Sequence, residues 1–89
     1  MPSGTAGYLR RVEIIRDGPV WPYQQIADRL REQIEAGEYQ PDQRLPSEAT
    51  LMQTYGVARE TARKAIRVLV AEGLAYVLQG HGAFVTRRE

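Results

Sequence analysis

Apolar positions recur along this chain first with a helical period and then, near its end, in two strand-like runs. From Tyr23 to Ala36, the apolar residues Tyr23, Ile26, Ala27, Leu30 and Ile34 are spaced by three or four, with Asp28, Arg29, Arg31, Glu32 and Glu35 between them. This spacing predicts an amphipathic helix, with Pro22 suited to its first turn and Gly37 to a left-handed stop. Gln40-Pro41-Asp42-Gln43 reads as a turn in which Pro presets the second position and Asp tolerates the third. Arg44-Leu45 then has room for a very short strand before Pro46. A second helix is predicted from about Glu48 to Tyr55, burying Leu51, Met52 and Tyr55, with the Ser47 hydroxyl as its N-cap. Gly56 breaks it, and Val57 fills the corner. A third helix starts near Arg59 and ends before Gly73, with Ala62, Ala65, Ile66, Leu69 and Val70 facing inward. Beyond it, the apolar runs Leu74–Leu78 and Ala83–Thr86 flank Gln79-Gly80-His81-Gly82, which predicts a hairpin.

The N-terminal stretch Tyr8–Arg16 is rich in β-branched and large apolar residues, and Val12 and Ile14 alternate with Arg11 and Glu13. It reads as a strand, with a short helix as the alternative, closed by Asp17-Gly18-Pro19. Residues 1–7 have the composition of an irregular terminus. The predicted organisation is an arm over 1–20, one domain over 21–86 and a tail over 87–89. Two helices joined by a short Gly-containing turn form a helix-turn-helix. With a preceding helix and a terminal hairpin, the fold class is mainly α with a small β-hairpin: a winged helix-turn-helix with a possible extra N-terminal strand.

Composition narrows the picture further. The chain has 89 residues, of which 43% are hydrophobic; this provides one core but not a spacious ligand cavity besides. There is no cysteine, so disulfides, thiolate metal sites and thiol nucleophiles are excluded. No apolar run approaches the ~20 residues of a bilayer span, and the first residues lack a signal core. The chain therefore reads as soluble and cytoplasmic. The formal net charge is only +1, but residues 57–89 carry +3 and residues 1–56 carry −2. The positive charge is thus concentrated on the half that holds the third helix and the hairpin.

On that third helix, Arg59, Arg63 and Arg67 recur every four residues, on a different face from the apolar stripe. Charge alone favours a solvated face, with Glu60 pairing to Arg63 or Lys64. On the second helix of a helix-turn-helix, the same stripe reads as a DNA-contacting surface. Arg59, at the helix start, suits bidentate contact to guanine O6 and N7. Thr61 and Arg63 share base and phosphate contacts, Glu60 and Lys64 belong to the same exposed face, and Arg67 reaches phosphate or solvent. Ser47 is first a cap, and the helix dipole there could also hold a phosphate. Arg44 either reaches the DNA backbone or pairs with Glu48. The hairpin tip Gly80-His81-Gly82 is a plain turn or a wing whose glycines let the backbone approach DNA closely.

No catalytic chemistry emerges. His81 is the sole histidine and has no cysteine to share a metal with. No nucleophile–base pair or phosphate-binding glycine loop is present either. No enzyme, metal or cofactor is expected.

The order Pro22-Tyr23-Gln24-Gln25-Ile26-Ala27, Leu45-Pro46-Ser47-Glu48, Tyr55-Gly56-Val57, Arg59 with Thr61-Ala62-Arg63, Glu72-Gly73-Leu74 and Gly80-His81-Gly82-Ala83-Phe84-Val85 resembles the DNA-binding domain of GntR-type bacterial transcriptional regulators. The resemblance covers roughly residues 20–86. It implies binding of a palindromic double-stranded operator as a homodimer, recognition helix in the major groove and wing at the backbone or minor groove. It also implies a second, effector-binding and dimerising domain, for which these residues have no material. Three positions depart from the pattern: Ala58 where Ser or Thr caps the recognition helix, Ala49 where Arg is frequent, and Asp42 where Gly is usual. The competing reading is a winged-helix interaction module that docks a partner through apolar Val12, Ile14, Ile15 and Trp21.

Overall fold

Helix α1 (Pro22–Glu35) begins where Pro22 occupies its first turn and ends before Gly37, whose φ of 82° is the left-handed stop. In the computed structural model of this chain, the described residues are 13–87. Helix α2 (Glu48–Tyr55) is capped by Ser47, whose side chain accepts from the Thr50 amide at 3.1 Å. Gly56, at φ 67°, closes α2 and turns the chain into α3 (Arg59–Ala71). Strands β1 (Ala75–Leu78) and β2 (Gly82–Val85) pair antiparallel, with Ala75 opposite Val85 and Leu78 opposite Gly82. Three helices and a two-stranded hairpin make a winged helix-turn-helix.

The core is where the three helices and the hairpin meet. Ile26, Ala27, Leu30 and Ile34 enter it from α1, Leu51 and Tyr55 from α2, and Ala62, Ala65, Ile66 and Leu69 from α3. Leu45, Leu74, Ala75, Ala83 and Val85 close its hairpin end. Ala62 and Ala65 are fully buried; their small side chains let α1 pack closely on α3. Burying each large side chain such as Ile26, Leu30, Leu51 or Leu69 stabilises the domain by roughly 1.5–3 kcal/mol before entropy is counted. Arg31 ties α1 to the far end of α3, donating through Nε and a terminal nitrogen to both carboxylate oxygens of Glu72 at 2.9 and 2.8 Å.

Several expectations need correction. Val70 is not inward but 39% exposed, because it lies about 100° around the helix from Leu69. The Arg44-Leu45 strand is a single bridge from Arg44 to Phe84. Its neighbours nonetheless follow β2, with the Asp42 amide donating to the Val85 carbonyl and the Leu45 amide to the Ala83 carbonyl. Asp42 takes the third turn position at φ 65°. Of the strand expected over Tyr8–Arg16, the part before residue 13 lies outside the described residues, and residues 13–16 form neither strand nor helix. They lie instead along α1, where Gln25 accepts from the Ile15 amide and donates to the Ile15 and Val20 carbonyls. Among the described residues, no helix is long and apolar enough to cross a membrane.

Candidate nucleic-acid interface

The outer side of α3 is built around one carboxylate of α2. Glu48 stands in the first turn of α2, just past the Ser47 cap, and the Gly56 turn brings it alongside the start of α3. Arg59 donates to Glu48 Oε1 at 3.1 Å, and Arg63 Nε donates to Glu48 Oε2 at 3.1 Å. The Arg63 guanidinium foremost holds the Glu48 carboxyl below its ordinary range against the opposing effect of burial, with Arg59 adding a lesser pull in the same direction as Arg63. Glu60 lies 3.7 Å from Arg63 and 3.5 Å from Arg67. The three arginines of the stripe are thus interleaved with two carboxylates. Such exposed pairs are weak and exchangeable, so they orient the guanidiniums without removing them from a competing phosphate or base edge.

The other expected residues fall in three places. Thr61 and Lys64 lie on α3 beside the stripe. Lys64 does not pair with Glu60; its Nζ stands 5.7 Å over the Tyr23 ring of α1, because Glu60 is engaged by Arg63 and Arg67. Arg44 does not pair with Glu48, whose oxygens α3 already occupies. Its side chain lies against the wing, where a Cβ added at Gly82 would meet Arg44 Nε at 3.2 Å. That contact and the φ of 112° leave only glycine at ease at position 82. Gly80 and His81 are exposed at the wing tip, where the His81 amide donates to the Leu78 carbonyl. Ser47 is committed locally: its oxygen accepts from the Thr50 amide, and its hydroxyl donates to Thr50 Oγ1 at 3.0 Å. Ala58 stands at the N-cap of α3 with φ −73° and ψ 161° and provides no side-chain hydrogen bond.

Two residues with structural parts in this surface went unread in the sequence. Glu48 was expected at the helix start, in the family motif and as a partner for Arg44, but not as a partner of the arginine stripe; its place 11 and 15 residues before Arg59 and Arg63 becomes a contact only through the turn. Arg16 reaches across from the N-terminal segment and donates to the Tyr55 and Gly56 carbonyls at 3.1 and 3.0 Å. The signal that could have found it is chemical: the last carbonyls of a helix lack intrahelical partners and attract cations. Next to that turn, Ala49, Gln53, Val57 and Arg59 line an open concavity between α2 and α3. The small side chain of Ala49 leaves it unfilled.

Comparison with known proteins places this geometry. Residues 22–85 match the profile of the bacterial regulatory proteins of the gntR family. The chain belongs to the GntR family. As a GntR-family chain it is 43% identical over 76 residues to the HTH-type transcriptional repressor NagR of Bacillus subtilis (strain 168), covering 85% of this chain and 31% of NagR. It is 48% identical over 63 residues to the mannosyl-D-glycerate transport/metabolism system repressor MngR of Escherichia coli (strain K12), covering 71% of this chain and 26% of MngR. Among solved structures it is similar to the AraR DNA-binding domain in complex with operator ORE1, at 38% identity and a TM-score of 0.77, covering 86% of this chain and all of that one. The GntR-family fold assigned here is therefore the winged-helix domain of these regulators, and the chain spans less than a third of the two repressors' lengths.

Proposed function

We propose that this chain is the sequence-specific double-stranded DNA-binding module of a bacterial transcriptional regulator, acting in the cytoplasm by occupying an operator. The observation that carries this reading is the division of α3. Ala62, Ala65, Ile66 and Leu69 lock one face into the core, while Glu48 holds Arg59 and Arg63 out from another. A helix so fixed presents two guanidiniums on one outward face, which suits reading of base edges in the major groove. Arg59 contacts a guanine, Arg63 and Thr61 share base and phosphate contacts, and Glu60 and Lys64 flank them. Arg44, Gly80, His81 and Gly82 bring the wing to the backbone or minor groove. At Ser47, the backbone amides of the α2 N-terminus, rather than the occupied hydroxyl, face a phosphate. NagR and MngR are named as repressors, which supports a regulatory role without catalysis.

One such module reads a short half-site, and a half-site alone discriminates poorly against a genome. Two copies therefore occupy a palindrome. Sedimentation of the chain with a palindromic duplex, chosen by selection from random DNA, tests this: two chains per duplex are expected, and one per duplex would refute the dimeric reading. Salt dependence separates DNA binding from the competing role in docking a protein. Affinity for the duplex falls steeply as salt rises, because phosphate contacts release counterions. A salt-insensitive association would favour apolar docking through the exposed Ile15 and Trp21.

A further inference from the structure

We propose that Trp21 is a DNA-backbone contact, forming with Lys64 and Thr61 an aromatic and basic seat for the sugar–phosphate strand flanking the bases read by α3. The proposal rests on the DNA-binding reading above and adds to it a contact at the N-terminal end of α1. Trp21 is 71% exposed, the most open of the large apolar side chains described. Its exposure is not slack chain. The Trp21 carbonyl accepts from the Gln24 and Gln25 amides at 3.0 and 3.1 Å, and the preceding Val20 carbonyl accepts from Gln25 Nε2 at 2.8 Å. The backbone is held on both sides of an indole that is left in solvent.

The seat is continuous with the recognition helix. Trp21, Pro22 and Tyr23 form one wall of a surface concavity whose other wall is Thr61 and Lys64. Thr61 and Lys64 are the outward neighbours of Arg59 and Arg63 on α3, so the concavity opens beside the arginine stripe. Among the described residues Lys64 makes no ion pair: the nearby Glu60 is engaged by Arg63 and Arg67, and Lys64 Nζ rests over the Tyr23 ring. A cation beside a flat apolar wall matches a phosphate followed by a deoxyribose. The indole N–H is a donor with no acceptor role, which suits phosphate oxygen. A protein partner docking on Trp21 would gain nothing from this charge unless it were acidic, and the adjacent arginine stripe already directs the face toward a polyanion.

Backbone contacts position a protein without reading sequence, and this determines the test. Trp21 is the single tryptophan of the chain, so its emission reports this position without a label. The full chain is titrated with the duplex selected from random DNA and with a scrambled duplex of equal length. Binding is expected to change Trp21 emission and to shield it from iodide and acrylamide. Trp21→Ala and Lys64→Gln are expected to weaken both duplexes by a similar factor, about threefold to tenfold, with the thermal midpoint unchanged. Trp21→Phe should recover part of the loss, and Lys64→Gln should lower the salt slope by about 1. An indole that stays equally accessible on saturated DNA, with undiminished binding by Trp21→Ala, overturns the proposal and leaves Trp21 to a protein partner. In that case Arg59→Ala still loses specific binding and the DNA-binding reading stands. If the unaltered chain binds neither duplex, that reading falls and this proposal falls with it.

Discussion

Arg63 Nε donates to Glu48 Oε2 at 3.1 Å, joining the middle of the recognition helix to the first turn of the helix before it. Arg59 shares the same carboxylate, so Glu48 acts as a jig that sets two guanidiniums at once. It is also a negative charge on the face proposed to meet DNA. Glu48→Gln should therefore have two opposite effects. Affinity for scrambled duplex should rise as repulsion is lost, while discrimination for the selected duplex should narrow as the guanidiniums lose their common anchor. Paired titrations of both duplexes at one salt concentration check this. A uniform change in both affinities would mean that Glu48 contributes charge alone.

Arg59→Ala should remove ~1–3 kcal/mol of discrimination at one guanine of the half-site. Base-by-base substitution of the selected duplex is the measurement. The wild-type chain should be sensitive at that position and the variant indifferent to it. An unchanged footprint at unchanged affinity would show that α3 is not the reading element.

Ala58 has the backbone geometry of an N-cap and no hydroxyl to use it. Ala58→Ser should add about 1 kcal/mol of stability by accepting one of the unpaired amides of the first turn of α3. For a domain of this size that is a rise of roughly 4–8 °C in thermal midpoint. Differential scanning calorimetry would show it, and a lowered midpoint with the fold intact would place the cap elsewhere.

Asp42 sits at φ 65° and accepts from the Tyr76 hydroxyl at 2.9 Å and from Arg87 Nε at 3.1 Å. Backbone strain and side-chain bonding can be separated there. Asp42→Ala keeps the strain and loses the acceptors, whereas Asp42→Gly relieves the strain and loses the same acceptors. Chemical denaturation should rank them wild type, then Asp42→Gly, then Asp42→Ala. Equal loss in both variants would assign the whole effect to Tyr76 and Arg87.

Among the described residues, three carboxylates lie below their ordinary range: Glu48, held down first by Arg63; Asp28, by Arg31 and then Gln24; and Asp42, by the Tyr76 hydroxyl and then Arg87. Depressed folded values mean that the unfolded chain takes up protons first as pH falls. The stability these groups contribute is complete above the unfolded carboxylate values of about 4 and drains away as pH drops through the lower folded values. The thermal midpoint should stay level down to about pH 5 and fall below about pH 4. Glu48→Gln should make that fall shallower, which parallel pH series of the two proteins would measure.

The helices were legible because their apolar periods are long and their stops are glycines. The hairpin was legible because two apolar runs bracket a glycine-rich turn. Val70 was misread because period alone does not say how wide an arc α1 covers on α3. Residues 13–16 were misread because Ile14 and Ile15 look like a strand to local pattern. Gln25, ten residues from Ile15, instead binds its amide and carbonyl as a strand partner would. The arginine stripe could be located, but not its anchor: Glu48 meets Arg59 and Arg63 only after the turn at Gly56 has been made. The family resemblance proposes which positions would meet DNA, whereas the contacts among those positions emerge only in three dimensions.

The burial of Ala62 and Ala65 has a consequence for how such a domain can change. The residues that set the seating of α3 are interleaved with those that face outward, yet the two sets share no side chain: Ala62, Ala65, Ile66 and Leu69 against Arg59, Glu60, Thr61 and Lys64. Arg59, Glu60 and Lys64 are exposed, so substitutions there should disturb the core seating of the helix least. New recognition properties can therefore be explored one outward residue at a time on an unaltered chassis, with Arg31 and Glu72 pinning the far end of the helix while the near end varies.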